Sequence, residues 1–361
     1  MSKKMNLLMI SMLALNIGAA SAAPDNYPAD YQKIIDAAKK EGKVVIYSTT
    51  DTAAAAPIIK GFEALYPGIS VEYNDMNSTE LYNRYISEQA SSSGSGDVVW
   101  SSAMDTGLKL AKDYAMPYKS PEADKLPSWA VWKETAYGTT YEPLVFIYNK
   151  RLIKEDEVPK SHADLATLIK SQPDRFKNKV TTYDIEKSAL GFMLSVEDMK
   201  NDPKYFDHLK DIASAGMVVQ SSTGTMLERV SSGENLIGYN ILEPYAKSRA
   251  VKDPSLGIAY PEDYTLVLSR VSFISDQAAH PNAAKLWLDY LLSQKGQDIL
   301  ANQANITSIR DDITGDNDVA GTTKLLGNAL KPIPVNESLL EYLEQNKRLD
   351  YLKKWRATTG K

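Results

Sequence analysis

Four times in this chain an apolar, β-branched run breaks into small hydroxyl residues and then into a helical pattern. Val44 to Tyr47 (VVIY) runs into Ser48, Thr49, Thr50 and Asp51 and then into alanines. Asp97-Val-Val-Trp100 runs into Ser101 and Ser102. Lys179-Val-Thr-Thr-Tyr-Asp184, with Thr182 inside it, leads into the helical period of Ile185 to Val196 and its Ser188. Met217-Val-Val-Gln220 leads through Ser221, Ser222 and Thr223 into Met226 to Val230. Short β-branched runs bounded in this way read as buried parallel strands, and the hydroxyls then occupy strand-to-helix turns. Such turns lie outside the carboxyl edge of a sheet, where backbone N–H groups and the helix dipole favour negative charge. Any one of them is equally well a helix cap. Their recurrence in one chain points instead to a shared ligand cleft.

The rest of the chain keeps the same alternation and predicts an α/β fold with parallel or mixed sheets flanked by helices. Asp30 to Lys40 has helical spacing and stops at Glu41-Gly42. Pro57 to Tyr66 is a helix ended by Pro67-Gly68, and Ile69 to Tyr73 is the next strand. Asn77-Ser-Thr-Glu80 has the spacing of a capping box opening a further helix. Ser91 to Gly96 (SSSGSG) reads as a surface loop, since it lacks the GK[ST] of a phosphate loop. Tyr137 to Asn149 and Tyr260 to Ser272 read as extended segments crossing between two lobes, with a hinge at the crossings. The boundaries predicted are a leader over 1–22, a first lobe over 23–139 with a return segment 265–310, and a second lobe over 140–264 with C-terminal helices 311–361.

The leader follows from Lys3-Lys4, the apolar segment Met5 to Ile17 and the small residues Ala20 and Ala22, the marks of a cleavable secretory signal peptide. Its loss removes two lysines and no acid, taking the formal net charge from −5 to −7. Roughly 340 residues remain, more than one hydrophobic core usually holds, which again predicts two lobes. No later segment is apolar enough to span a bilayer, and without a cysteine there is neither a disulfide nor a lipid tether. A released periplasmic protein is expected. An acidic chain with scattered Lys and Arg excludes nucleic acid and membrane surfaces as partners.

Five blocks carry a family resemblance: VVIYSTTD, Asp97 to Asp105 (DVVWSSAMD), Ala136-Tyr-Gly-Thr-Thr140, Leu236-Ile-Gly-Tyr-Asn240, and His280 to Leu286 (HPNAAKL) with Leu288 to Ser293 (LDYLLS). They are similar to the extracellular solute-binding proteins of ABC importers, and more narrowly to the class whose founding members bind ferric iron and whose other members take phosphorylated sugars, phosphonates and similar anions. The resemblance covers nearly the whole mature chain. It implies the two-lobed periplasmic-binding-protein fold (type II), no cofactor, an inner-membrane permease as partner, a membrane sensor as a further one, and a monomer. The iron-binding members use paired tyrosines. Here Tyr239 is followed by Asn240, and no His precedes His162, so one phenolate stands where a hard cation wants several anionic oxygens. No metal is expected; ferric iron is the alternative ligand.

An anion, phosphorylated or carboxylated, suits the hydroxyl turns better. Ser48, Thr49 and Thr50 are expected to hold it from the first lobe, with Asn77, Ser78, Ser101 and Ser102 beside them. Thr182, Ser188, Ser222, Thr223, Tyr239 and Asn240 are expected to close from the second. Asp51, Asp184 and Glu243 would accept from ligand hydroxyls or an amine, and Arg229 is a candidate anion contact. Trp100 and Tyr141 are candidate stacking residues, with Trp100 equally a core side chain. Catalysis is not expected, because no nucleophile elbow, H-E-x-x-H helix or P-loop is present and no cysteine exists.

Overall fold

A computed structural model describes residues 23–361 apart from 25–26 and 92–93, so the expected leader lies outside the described residues, as does part of the SSSGSG stretch. The strands are β1 (Lys43–Ser48), β2 (Ser70–Asp75), β3 (Val98–Ser101), β4 (Val131–Trp132), β5 (Ala136–Gly138), β6 (Glu142–Asn149), β7 (Val180–Tyr183), β8 (Val218–Gln220), β9 (Ile237–Leu242), β10 (Leu256–Ala259), β11 (Thr265–Leu268), β12 (Val271–Ile274) and β13 (Leu330–Pro332). They form two mixed sheets, ordered β2-β1-β3-β12-β5-β4 and β13-β11-β6-β9-β7-β8, with β10 along β6. In the first, β1 is parallel to both β2 and β3. In the second, β7 is parallel to both β8 and β9. Each sheet therefore brings three carboxyl ends to one edge, and each of those ends leads into a helix.

Local chemistry sets the element ends. The helix Tyr31–Glu41 stops at Gly42, whose φ of +73° suits a residue without Cβ. Asn77 opens the helix Ser78–Ser91 by accepting from the N–H groups of Thr79 (3.1 Å) and Glu80 (2.9 Å). Ile46, Phe62, Trp100 and Trp287 pack in the core of the first lobe, and Phe146, Phe176, Phe192 and Ile237 in that of the second. A third apolar cluster joins the lobes through Met104 and Leu108 on one side and Met193 and Leu266 on the other. Each fully buried side chain of this size contributes about 1.5–3 kcal/mol. Among the described residues, no helix is long and apolar enough to cross a membrane.

The chain leaves the first sheet after Gly138 and enters the second at Glu142; it returns between Leu268 and Val271. Because β11 still belongs to the second sheet, the return falls at Ser269-Arg270, slightly past the 264/265 boundary read from the sequence. The two passages run side by side: Thr139 donates its N–H to the Arg270 carbonyl at 3.0 Å, and the Arg270 N–H donates to Thr140 Oγ1 at 2.9 Å. The chain passes once more, from the helix Gln294–Asn302 of the first lobe to β13, and ends in the helix Gln345–Thr359, whose Tyr351 and Trp355 pack into the second lobe.

At the paired passages sits a guanidinium with no solvent exposure. Arg270 gives Nε to Glu142 Oε1 at 2.7 Å and Nη2 to Oε2 at 2.9 Å, while Nη1 donates to Thr50 Oγ1 at 2.8 Å. Burial alone would favour the neutral arginine, but the Glu142 carboxylate overrides it and holds the proton. Glu142→Gln removes the counter-charge and leaves Arg270 buried and uncompensated. The variant is expected to lose about 3–5 kcal/mol in a urea unfolding titration; a loss under about 1 kcal/mol would show that the pair is not needed to join the lobes.

Candidate functional site

The six carboxyl ends face one another across a cavity of about 230 Å³. From the first lobe, Thr49 and Asp51 follow β1, Asp75 to Ser78 lie at the end of β2, and Ser102 follows β3. From the second, Tyr183 ends β7 with Ser188 beyond it, Ser221 to Gly224 follow β8, and Leu242 and Tyr245 lie at and after the end of β9. Each turn feeds a helix whose first N–H groups have no partner within the helix, so the positive ends of helix dipoles from both lobes bear on one space.

Of the residues anticipated from the sequence, the cavity gathers Thr49, Asp51, Asn77, Ser78, Ser102, Ser188, Ser222 and Thr223. The remainder are turned to structural work. Ser48 donates to the Trp100 carbonyl at 2.9 Å and accepts from the Thr50 N–H at 3.0 Å, a buried cap beneath the turn. Thr50 is held by Arg270, and Ser101 Oγ accepts the Ala103 N–H at 3.2 Å. Strand parity explains these: neighbouring residues at a strand end face opposite sides, so Thr49 and Ser102 reach the cavity while Ser48 and Ser101 do not. Thr182 Oγ1 donates to the Tyr239 carbonyl at 3.3 Å, and Asp184 accepts from the N–H groups of Glu186 and Lys187 within its own turn. Glu243 is buried and accepts from the Tyr260 hydroxyl and Lys247.

Tyr239 and Asn240, where the resemblance placed a ligand contact, face the core of the second lobe. Both donate to the buried Asp198, Asn240 at 2.6 Å. Asn240 has φ +60° where the β6–β9 register shifts, a left-handed position that asparagine tolerates better than most residues. Arg229 is also turned away, to Asn235 Oδ1 at 2.7 Å and Glu234 at 2.7 Å. Trp100 is core, with its indole N–H on Thr139 Oγ1 at 2.8 Å, and Tyr141 packs on Trp129 away from the cavity.

Tyr183, Tyr245 and Asp75 were not anticipated. Tyr183 read as the end of an apolar strand, yet its hydroxyl bonds Thr223 Oγ1 at the cavity wall. It holds that place because Gly191 passes so close that a Cβ there would lie 2.3 Å from Tyr183 Cβ. Tyr245 lies one turn into the helix Glu243–Lys252, with its ring 5.4 Å from the Arg270 guanidinium, and its hydroxyl accepts the Asp51 N–H across the cleft at 3.2 Å. Asp75 Oδ2 accepts the Thr52 N–H at 2.8 Å and so caps the helix Thr52–Leu65 from the adjoining strand.

The lobes are closed on the cavity. Besides the Asp51–Tyr245 bond, Ser78 Oγ accepts the Leu190 N–H at 3.1 Å, and Thr79 Oγ1 accepts the Ala189 N–H at 3.1 Å while donating to the Lys187 carbonyl at 2.9 Å. Among the described residues, no Lys or Arg lines the cavity, whereas Asp51 and Asp75 both do. Protein crowding around Asp51, and Asp75 beside it, raise the pKa of its carboxyl, with Arg270 and the Tyr245 hydroxyl opposing. Each of the three histidines is bonded to an aspartate through Nδ1, His162 to Asp263, His208 to Asp202 and His280 to Asp97. None of them lines the cavity. Gly224 lines the cavity, and a Cβ there would meet nothing within 4 Å. Gly224→Leu is therefore expected to fill solute space, weakening solute binding at least about tenfold with no loss of melting temperature in the ligand-free protein; unchanged affinity would place the ligand elsewhere.

The sequence matches the model of the bacterial extracellular solute-binding protein family over residues 57–325. Comparison with curated proteins returned no match. Among solved structures, the substrate-binding protein of an ABC transporter from Agrobacterium tumefaciens is 34% identical, with a TM-score of 0.84 over 88% of this chain and 94% of that one. AfuA of Actinobacillus pleuropneumoniae, solved with fructose-6-phosphate bound, is 18% identical with a TM-score of 0.73 over 88% and 99%. The ferric binding protein of Campylobacter jejuni is 20% identical with a TM-score of 0.68 over 87% and 99%. Two mixed sheets whose facing edges enclose one cavity, together with these matches, make the chain a member of the bacterial extracellular solute-binding proteins of ABC transporters, with the two-lobed periplasmic-binding-protein fold.

Proposed function

We propose that the protein is the periplasmic receptor of an ABC importer, exported by its N-terminal leader, and that it encloses a small phosphorylated or carboxylated solute between its lobes and presents it to a membrane permease. The observation that carries this reading is the convergence of six strand-to-helix turns, three from each lobe, on one cavity lined by the hydroxyls of Thr49, Ser78, Ser102, Ser188, Ser222 and Thr223. Donors at helix N-termini hold an anion without needing a cationic side chain. Closure follows because only the closed form lets both lobes contact one ligand, so differential affinity shifts the population toward it. A permease, or a membrane sensor, would then read the closed shape.

Ferric iron is the second reading, favoured by the two phenols and two carboxylates of Tyr183, Tyr245, Asp51 and Asp75 in one cavity and by the ferric binding proteins that share the fold. Two physical terms oppose it. Burial raises the pKa of both phenols, so forming phenolates there is costly, and helix N-termini disfavour a trivalent cation. A thermal-shift series on refolded mature protein separates the two readings. Phosphate esters, phosphonates or carboxylates are expected to raise the melting temperature by several degrees, while ferric salts give neither a shift nor visible phenolate-to-iron absorbance. A shift with ferric salts alone would contradict the proposal.

A further inference from the structure

The anion reading leaves a charge unexplained. Asp51 and Asp75 bring two carboxylates to a space otherwise lined by neutral polar and apolar groups, and no Lys or Arg among the described residues lines it. Arg270, whose charge bears on Asp51, is paired with both oxygens of Glu142 and donates its Nη1 to Thr50. Arg249 and Lys252 face the adjoining groove of about 470 Å³, which shares Asp51, Gly224 and Tyr245 with the cavity. A ligand carrying only negative charge would close against two carboxylates with no cationic side chain among the described residues lining the cavity.

Of the two acids, Asp75 is partly spent: one oxygen takes the Thr52 N–H at 2.8 Å and the Thr52 hydroxyl at 3.2 Å, at the N-terminus of the helix Thr52–Leu65. Asp51 is held at the cleft edge through its N–H on the Tyr245 hydroxyl, its carboxylate exposed to the cavity. On the opposite wall the first N–H groups of the helix Ala189–Asn201 are already taken by Thr79, Ser78 and Ser188, which leaves the hydroxyls of Ser188, Ser222 and Thr223 and the start of the helix Thr223–Ser232 facing the cavity. The cavity is thus polar in two senses, acidic beside the ends of β1 and β2 and lined by hydroxyls beside the ends of β7 and β8.

Resting on the anion reading above, we propose that the solute is a zwitterion: a small compound whose phosphate, phosphonate, sulfonate or carboxylate is held by the hydroxyl-lined wall of Ser188, Ser222 and Thr223 while a protonated amine lies between Asp51 and Asp75. An ammonium is a compact three-donor cation that suits two carboxylates, and its charge cancels the repulsion that would otherwise resist closure. The amine then selects among anions that the N–H and O–H donors alone accept alike.

Matched pairs differing only in the amine test this by calorimetry on refolded mature protein at pH 7: O-phosphoethanolamine against ethyl phosphate, taurine against ethanesulfonate, and β-alanine against propionate. The amine-bearing member of at least one pair is expected to bind at least about tenfold more tightly, and Asp51→Asn or Asp75→Asn to shrink that ratio. Equal or tighter binding of the amine-free members overturns the zwitterion and leaves the anion reading standing. An amine preference untouched in both variants overturns the placement of the amine. Silence of all six compounds overturns the anion reading and this inference together. The comparison of pairs in the unmodified protein stands even if a variant fails to fold.

Discussion

Arg270 and Glu142 face each other with no solvent exposure at the point where the two lobes are joined. Glu142 is the first residue of the strand that enters the second sheet, and Arg270 lies between the strand that leaves it and the strand that rejoins the first. The pair therefore ties both passages together, and Arg270 Nη1 extends the tie to Thr50 in the first strand-to-helix turn. A buried ion pair adds little net stability, because desolvating both partners offsets most of their attraction. What it fixes is geometry: the hinge, the turn carrying Thr49 and Asp51, and the ring of Tyr245 share one anchor.

Above that anchor, the ligand chemistry of the proposed anion reading falls to the turn hydroxyls and the helix N-termini behind them. Helix N-termini are fixed by the fold and need no reorganisation when a ligand arrives. Side chains tune them. Thr49 and Ser102 bond each other at 3.0 Å, which positions two hydroxyls beside adjacent strand ends. Ser78 and Thr79 meet the first turn of the helix Ala189–Asn201 from across the cleft, so the contacts that close the lobes are made at the cavity rim itself. Polar groups buried on closure must all find partners, at about 1–3 kcal/mol for each left unsatisfied. That penalty is the source of discrimination between a fitting solute and a near miss.

The sheets and their helices were legible because the relevant signals are local: β-branched runs, Gly42 as a helix stop, and Asn77 as a cap. The cleft was legible for the same reason, as a hydroxyl cluster after each of four runs. What could not be read was parity and long-range partnership. Ser48 and Thr49 look alike in sequence, and only the pleat decides that one caps the turn while the other faces the cavity. Tyr239 and Asn240 matched a family motif, but the partner that draws them inward, Asp198, lies in a helix with no sequence mark of that role. Tyr245 and Asp75 carried no hydroxyl-cluster signal, and Arg270, although inside a segment read as a crossing, gave no sign of its buried pairing with Glu142. Each acquires its role from a residue distant in the chain.

The most direct measurement is native mass spectrometry of the mature protein isolated under mild conditions without refolding, followed by release and identification of whatever has co-purified. The account predicts one small organic solute per chain that carries an acidic group, and its loss when the cavity is filled at Gly224. A bound iron ion in its place, or a solute without any acidic group, would contradict it.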